Sequence, residues 1–225
     1  MARATTLTTR PTTSQPSQAA GADAASEHLD RYGLRVVSES PVIDCDAAEQ
    51  AIYELLVALG RDPRSEHLAE TPRRVVEAYA ELLSPEPFDL TTFPNDEHYD
   101  DLVLVRDIPF SSLCEHHLLP FHGVAHVGYL PAGRILGLSK LARVVARFAG
   151  DLQTQERLTM QVADWIDEHL RPKGVGVVVE ADHTCMSLRG VRASGVRTLT
   201  SAVHGLLRDD VRSRQEFLAL TGNRC

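Results

Sequence analysis

The sequence predicts an α+β fold in which helices cover one face of a sheet. The segments "DLVLVRDI" and "GVAHVGYL" have the composition of β-strands, and "GVGVVV" further along is a continuously apolar run typical of a buried strand. The segments "SKLARVVARFAG" and "QTQERLTMQVADWIDEHL" repeat apolar residues at helical spacing. Because helices come in pairs between pairs of strands, the pattern fits a sheet with helices on one of its faces.

Two helices precede this region, and a strand and a helix follow it. "DAAEQAIYELLVALG" has helical spacing and ends at Gly60, a typical helix stop. "TPRRVVEAYAELLS" is predicted to begin with Thr71 as N-cap and Pro72 in the first helical position. Near the end of the chain, "VRTLTSAVHG" predicts a strand and "DDVRSRQEFLALT" predicts a closing helix.

Residues 1–40 are predicted to be a disordered tail, because they are rich in Thr, Ser, Ala and Pro and can bury little apolar surface. A transit peptide is the alternative interpretation, since the segment has arginines and hydroxyl side chains but few acids. Residues 41–225 are predicted to form one domain, with helices at about 46–84 and a core at about 100–225. With 43% hydrophobic residues, the chain can build a substantial core.

Charge and cysteine content exclude several functional classes. The net charge of −8 argues against a general nucleic-acid binder, because phosphate backbones are held by an excess of Lys and Arg. Four cysteines in 225 residues are too few for a disulfide scaffold, and no apolar run approaches the roughly 20 residues of a membrane span. These features predict a cytoplasmic protein with reduced thiols and no membrane or nucleic-acid partner.

The segment "SSLCEHHLLPFHGVAHVGYLP", residues 111–131, is unusually rich in side chains that bind metals. Cys114 and His117 have the C-x-x-H spacing of half a metal site, although a buried thiol beside a hydrogen-bonded histidine would have the same spacing. His122 and His126 follow in the strand after the turn and are predicted to have structural or supporting roles.

A second group of ligand-type residues occurs in "ADHTCMSLRG". If residues 182–190 are extended, then His183, Cys185, Ser187 and Arg189 point to the same side of the strand. An edge strand with a polar solvent face is the alternative, but solvent faces seldom combine Cys with His. The segment therefore predicts the end of a buried strand that delivers residues to a site.

Together the two segments offer three ligands for one zinc ion, namely Cys114, His117 and Cys185. Three protein ligands leave a fourth position for water, which is the pattern of catalytic rather than structural zinc. His116 and His183 are adjacent to these ligands and are candidates for proton transfer, because imidazole titrates near neutral pH. Spacing alone leaves open which of the histidines are ligands.

The predicted helices carry candidate substrate contacts. Lys140, Arg143 and Arg147 share a face of one helix whose start Ser139 can cap, so this end suits a phosphate, although a solvated surface helix is the simpler reading. In the next helix Gln155 lies on the core-facing stripe and Glu156 follows it. These two predict an amide and a carboxylate aimed into a pocket; a plain helix start with a favourable acidic residue is the alternative.

Five segments, in order from about residue 45 to the end, resemble GTP cyclohydrolase I: "LCEHHLLPFHGVAHVGYLP", "GLSKLARVVARFA", "QTQERLT", "HTCMSLRGVR" and "RSRQEFLAL". The resemblance implies a tunnelling fold, an antiparallel sheet with helices on its outer face. It also implies a toroidal homodecamer in which neighbouring subunits share each active site. The implied reaction is the zinc-dependent conversion of GTP to 7,8-dihydroneopterin triphosphate with release of formate, the first step of tetrahydrofolate and pterin biosynthesis.

The resemblance implies a role for each candidate residue. Cys114, His117 and Cys185 would hold Zn²⁺, in agreement with the count above, and His116 and His183 would transfer protons. The remaining roles are substrate contacts or water positioning: Gln155 for the attacking water, Glu156 for the guanine ring, and Ser139, Lys140, Arg143 and Arg189 for the triphosphate, with Arg74 supplied by a neighbouring subunit.

The sequence departs from the family pattern in two places. Val196, Arg197 and Leu199 stand where small or hydroxyl residues are expected, which would alter triphosphate binding or subunit packing. "GDLQTQE" lacks the Arg-Pro often found before the family's glutamine helix. Two other functions remain open: a related tunnelling-fold enzyme such as a nitrile reductase, and a catalytically silent paralogue that binds GTP or a pterin in an oligomer.

Overall fold

The computed structural model describes residues 35–36 and 42–222, so the predicted tail lies almost wholly outside the described residues. The elements in chain order are β1 (Arg35–Val36), α1 (Cys45–Ala58), α2 (Thr71–Leu82), β2 (Phe88–Asp89), β3 (Thr92–Pro94), β4 (Val103–Cys114), β5 (Pro120–Leu130), β6 (Arg134–Leu136), α3 (Leu138–Ala149), β7 (Leu152–Gln153), α4 (Gln155–Leu170), β8 (Gly174–His183), α5 (Thr184–Ser187), β9 (Thr198–Gly205), α6 (Leu206–Asp209) and α7 (Val211–Leu220). The predicted α+β class is confirmed.

The central sheet has five strands in the order β7-β4-β5-β8-β9. Strands β4, β5, β8 and β9 pair antiparallel with their neighbours, as the resemblance implied, whereas the short β7 runs parallel to β4. Two smaller sheets pair β1 with β2 and β3 with β6. Because these strands alternate in direction, the ends of β4 and β8 lie beside the starts of β5 and β9, at the same edge of the sheet. The polar residues at these positions therefore lie close together.

Helices α3 and α4 form a layer on one face of the central sheet. Their buried positions recur at helical spacing, with Leu141, Val144 and Val145 on α3 and Leu158, Val162 and Ile166 on α4. They pack against alternate residues of β8, from Val175 to Ala181, which are at most 1% exposed. This layer holds the start of α4 against the end of the sheet.

The prediction that helices lie on only one face is wrong for α7, which covers part of the opposite face. Phe217 of α7 is fully buried against Val178, whose side chain points away from α3 and α4. A Cβ on Gly176 would lie 2.7 Å from the Phe217 ring, so the glycine makes room for the aromatic side chain. With cover on both faces, β8 is apolar at consecutive positions rather than alternate ones.

The ends of the helices agree only in part with those predicted from the sequence. Helix α1 ends as predicted, with Gly60 at φ 73° and its N–H bonded to the Val57 carbonyl. Helix α2 has Glu70 at its N-cap position, which makes Thr71 the first helical residue rather than the N-cap.

The described part of the chain contains no helix with the length and apolar character needed to cross a bilayer.

Candidate metal centre and active-site pocket

A pocket of about 290 Å³ lies where the end of β8 and the turn after β4 meet the start of α4. Its lining includes every residue that the sequence predicts for metal binding, proton transfer and guanine recognition: Cys114, His116, His117, Gln155, Glu156, His183 and Cys185. Residues from three separate segments of the chain are therefore brought together, as the prediction requires.

The tight turn after β4 presents Cys114, His116 and His117. The N–H groups of His117 and Leu118 donate to the Cys114 carbonyl at 3.2 and 2.8 Å, which closes the turn. Leu118 has φ 54°, a left-handed conformation that costs a residue with a Cβ about 1–2 kcal/mol. The Tyr79 hydroxyl on α2 donates to the Leu118 carbonyl at 2.8 Å and so helps to hold this conformation.

Arg157 of α4 stabilises the same turn through an ion pair and a hydrogen bond. Its Nη2 lies 2.6 Å from Oε2 of Glu115, and its Nε donates to Oε1 of Gln153 at 2.9 Å. The Glu115 N–H donates to the Gln153 carbonyl at 3.1 Å, extending the parallel pairing of β7 with β4. Sequence analysis missed this support, because nothing in "QTQERLT" indicates that its arginine reaches a glutamate 42 residues earlier.

The extended conformation predicted for residues 182–190 is wrong. Strand β8 ends at His183, and Thr184–Ser187 form a short helix closed by the Leu188 N–H bond to the Thr184 carbonyl at 3.0 Å. A tertiary contact accompanies this turn, since the Thr184 hydroxyl donates to the Pro120 carbonyl at 2.5 Å. Cys185 reaches the pocket from a helical turn, and the inferred common face with Ser187 and Arg189 does not exist.

Cys114, His117 and Cys185 lie close enough together to hold one metal ion, and we refer to them as the ligand group. One ligand atom from each lies within 4.8 Å of the others, and Cys114 Sγ is 3.7 Å from Nδ1 of His117. A tetrahedral zinc ion with ordinary bond lengths separates sulfur and nitrogen ligands by about 3.6 Å. The donor set and its spacing therefore fit one such ion.

The structure also distinguishes His116 from His117, because only His117 belongs to the ligand group. Nδ1 of His116 is as close to Cys114 Sγ as that of His117, at 3.7 Å, but His116 is not part of the group that includes Cys185. The His116 side chain is 63% exposed. Burial, and then the neighbouring sulfur of Cys114, raise the pKa of the Cys185 thiol, and a bound cation would favour the thiolate form against both effects.

His183 lies on the inner wall of the pocket. Its ring stacks on Phe121 with centroids 4.6 Å apart and planes 4° from parallel, and its Nε2 is 2.7 Å from Oε1 of the buried Gln155. Burial lowers the pKa of His183 and outweighs the opposing charges of Glu156 and Asp182. Burial therefore favours the neutral form of the ring.

The residues predicted to bind phosphate are not assembled in this pocket. None of the five lines it: Ser139, Lys140, Arg143, Arg189 and Arg74. Only Arg189 is near enough to act on the site, since its charge opposes in part the rise in the pKa of the Cys185 thiol. The predicted cap is also wrong. Gly137 occupies the capping position of α3, and Ser139 lies inside the helix.

The other singled-out residues do not line the pocket. His126 is buried and its Nδ1 accepts the Asp107 N–H at 3.2 Å, which fits the structural role predicted for it. Arg197 lies 3.5 Å from the Glu180 carboxylate, and Val196 and Leu199 are about half exposed, at 49% and 51%. The departures from the family pattern therefore occur on the surface of this chain.

An α+β chain whose pocket brings two cysteines and a histidine close enough to hold one metal ion, with further histidines beside them, has the features of a metal-dependent enzyme. The chain belongs to the GTP cyclohydrolase I family, whose sequence model matches residues 48–222.

Three relatives named GTP cyclohydrolase 1 illustrate the similarity. The Streptomyces coelicolor protein is 55% identical over 178 residues, covering 77% of this chain and 88% of that protein. The Aquifex aeolicus protein is 49% identical over 178 residues, covering 79% and 97%. The Streptococcus mutans protein is 47% identical over 188 residues, covering 82% and 98%. Among solved structures, an archaeosine synthase QueF-Like in the apo form aligns with 46% of this chain and 93% of its own, at 21% identity and a TM-score of 0.38.

Proposed function

We propose that this chain converts GTP to 7,8-dihydroneopterin triphosphate and formate at a zinc centre formed by Cys114, His117 and Cys185. Family membership and close relatives named GTP cyclohydrolase 1 support the reaction. The observation that carries the proposal is the assembly of these three ligands beside His116 and His183 in one pocket. A silent paralogue would have no chemical need for all five side chains.

Zinc is the metal that best suits this donor set. Thiolate and imidazole ligands favour zinc over harder divalent ions, and three protein ligands leave one position for water or substrate. When bound, zinc supplies Lewis acidity, which makes water nucleophilic at neutral pH. Cys114 and Cys185 must stay reduced to hold it, so we place the enzyme in the cytoplasm.

The protein's own residues handle the substrate and its protons. His183, whose neutral form is favoured by burial, takes up the proton released when water adds to C8 of the purine, while the more exposed His116 protonates the imidazole nitrogen as the ring opens. Gln155 positions water with the second lone pair of Oε1. Glu156, exposed at the start of α4, accepts the paired N–H donors on the guanine edge.

The remaining steps need proton transfer more than new binding groups. A second hydrolysis releases formate from the opened ring, after which the ribose opens and undergoes an Amadori-type rearrangement. The rearranged sugar then closes onto the pyrimidine amine with loss of water. Two histidines next to the ligand group are sufficient to move the protons that these steps require.

We further propose a homo-oligomer, a decamer, in which neighbouring subunits complete each site. The support is the position of Ser139, Lys140, Arg143 and Arg74, none of which lines the pocket of its own chain. A triphosphate bound in that pocket needs cations in addition to Arg189, and a neighbouring copy offers them. In this arrangement the net acidic charge does not oppose binding of an anionic substrate.

The ligand assignment is tested by metal analysis of matched cysteine variants. Cys185→Ser is expected to lose zinc and formate release together, because serine is a poor zinc ligand at neutral pH. Cys45→Ser is the control, since Cys45 is an exposed free thiol outside the pocket. It is expected to keep one zinc per chain. Full zinc content and activity in Cys185→Ser would refute the assignment.

A further inference from the structure

We propose that Met186 contacts the face of the five-membered ring of the bound purine and so contributes to selection of the base. This role rests on the proposed function, because it uses the position of C8 in that reaction. An extended strand would have turned Met186 away from Cys185, since neighbouring side chains of a strand point to opposite faces. The helical turn Thr184–Ser187 instead places both residues at the pocket.

Met186 differs in chemistry from the other side chains of the pocket. Among the described residues that line it, Met186 is the only large apolar one. The others are cysteines, histidines, threonines, glutamines and a glutamate, which bind metals or form hydrogen bonds. A purine carries its hydrogen-bonding groups on its edge, whereas its two faces are covered by stacking and apolar contacts. Met186 can supply such a contact.

Packing of the protein core does not account for the position of Met186. Its neighbour Cys185 packs against the main hydrophobic cluster, but neither cluster of the described residues includes Met186. Met186 is 36% exposed, so its side chain is open to a ligand. The backbone, in contrast, is held in place, because the Ala193 N–H donates to the Met186 carbonyl at 3.0 Å. The side chain is therefore fixed at the pocket without being used by the core.

The proposed reaction determines which part of the base lies beside Met186. Glu156 accepts from the guanine edge and water adds to C8, so the base extends from the start of α4 to the ligand group. C8 belongs to the five-membered ring, and Met186 follows Cys185 of the ligand group in the chain. Methionine suits this position, because its thioether makes favourable contacts with aromatic rings. A pyrimidine lacks the five-membered ring, so the contact also favours purines.

Calorimetric titration of the zinc-loaded full chain with 7-deaza-GTP measures this contact without turnover. Carbon replaces N7 in the analogue, so water does not add to C8, while the ring faces and the edge that Glu156 would bind are retained. Met186→Gln keeps an unbranched side chain of similar length but makes it polar. We expect it to weaken binding about five- to tenfold, which is the upper range for a methionine–aromatic contact. Met186→Leu stays apolar and should recover most of this loss.

The control variant is Leu188→Gln, because Leu188 is 72% exposed and does not line the pocket. It is expected to bind the analogue as the wild type does. Inorganic tripolyphosphate is the second probe, since it can occupy phosphate contacts but offers no base. Its affinity, and the zinc content, should be the same in the wild type and in every variant.

Equal affinities of Met186→Gln and the wild type for 7-deaza-GTP would overturn the role of Met186. An equal loss of affinity for tripolyphosphate would also overturn it, because Met186 would then act on the site as a whole. A wild type that binds the analogue but releases no formate from GTP would instead refute the proposed function, and the variants would still decide whether Met186 contacts the base. A wild type that does not bind the analogue would contradict both.

Discussion

Replacing Arg157 with methionine is expected to weaken zinc binding about fivefold, although Arg157 is not a metal ligand. The guanidinium joins α4 to the turn that presents His117, through Glu115 at 2.6 Å and Gln153 at 2.9 Å. Methionine keeps much of the apolar stem but has no donors, so the turn loses its connection to the helix while packing is largely retained.

The magnitude follows from the exposure of the pair. A hydrogen bond to a charged group contributes about 1.5–3 kcal/mol when sheltered. The two side chains are 42% and 32% exposed, so water screens the Arg157 contact and about 1 kcal/mol remains. Because 1.4 kcal/mol corresponds to tenfold in an equilibrium constant, this loss is about fivefold in any equilibrium that requires the ordered turn.

The assay is a competition titration of zinc against a chromogenic chelator, with the free energy of unfolding measured by urea in parallel. Arg73→Met is the matched control, because Arg73 pairs with Glu70 and Glu77 on the surface of α2, at 46% exposure. We expect the control to keep the wild-type zinc affinity. Equal zinc affinities in Arg157→Met and the wild type would show that the turn needs no support from α4.

Three further predictions concern recognition, packing and pH. Glu156→Gln is expected to raise KM for GTP about tenfold with zinc retained, since an amide cannot accept from both guanine donors; an unchanged KM would place the guanine elsewhere. Phe217→Ala is expected to lower the free energy of unfolding by about 3–5 kcal/mol, because Phe217 is fully buried beside Gly176; a loss below about 1 kcal/mol by urea denaturation would contradict the packing. Burial lowers the pKa of His126, so below about pH 6.5 the unfolded chain binds more protons than the folded one. The free energy of unfolding should therefore fall as the pH falls through this range, by up to about 1.4 kcal/mol per pH unit. Urea titrations from pH 8 to 5 should show this decline, reduced in His126→Gln, and an identical slope in both would refute the assignment.

The sequence alone predicted the three residues that the structure brings together as a possible metal-binding group, because the needed information is local. Cys114 and His117 are three residues apart in a segment that Pro120 bounds, and Cys185 follows a buried strand. The conformation around Cys185 was predicted wrongly because alternation along a strand was assumed to continue beyond His183. The backbone instead forms a short helix, whose first residue contacts the Pro120 carbonyl, 64 residues away in the chain.

The hydrogen bonds that hold Gln155 and His183 could not be predicted from the sequence, for a related reason. The amide of Gln155 bonds to carbonyls on β8 and β9, which follow it by 24 and 43 residues, and no spacing rule connects them. The capping position of α3 was also misassigned, because a serine near a helix start resembles a cap although the chain enters that helix through Gly137. Local sequence patterns predicted which residues line the pocket, and only the fold shows which contacts hold them there.

The most direct test of the proposed function is to incubate the zinc-loaded protein with GTP and to follow formate release together with the absorbance of a reduced pterin. The proposal predicts that both signals rise in equal amounts and that both vanish in Cys185→Ser. Formate without the pterin would mean hydrolysis without cyclisation. Neither signal, in a sample with one zinc per chain, would contradict the proposal and favour a silent paralogue or a different purine substrate.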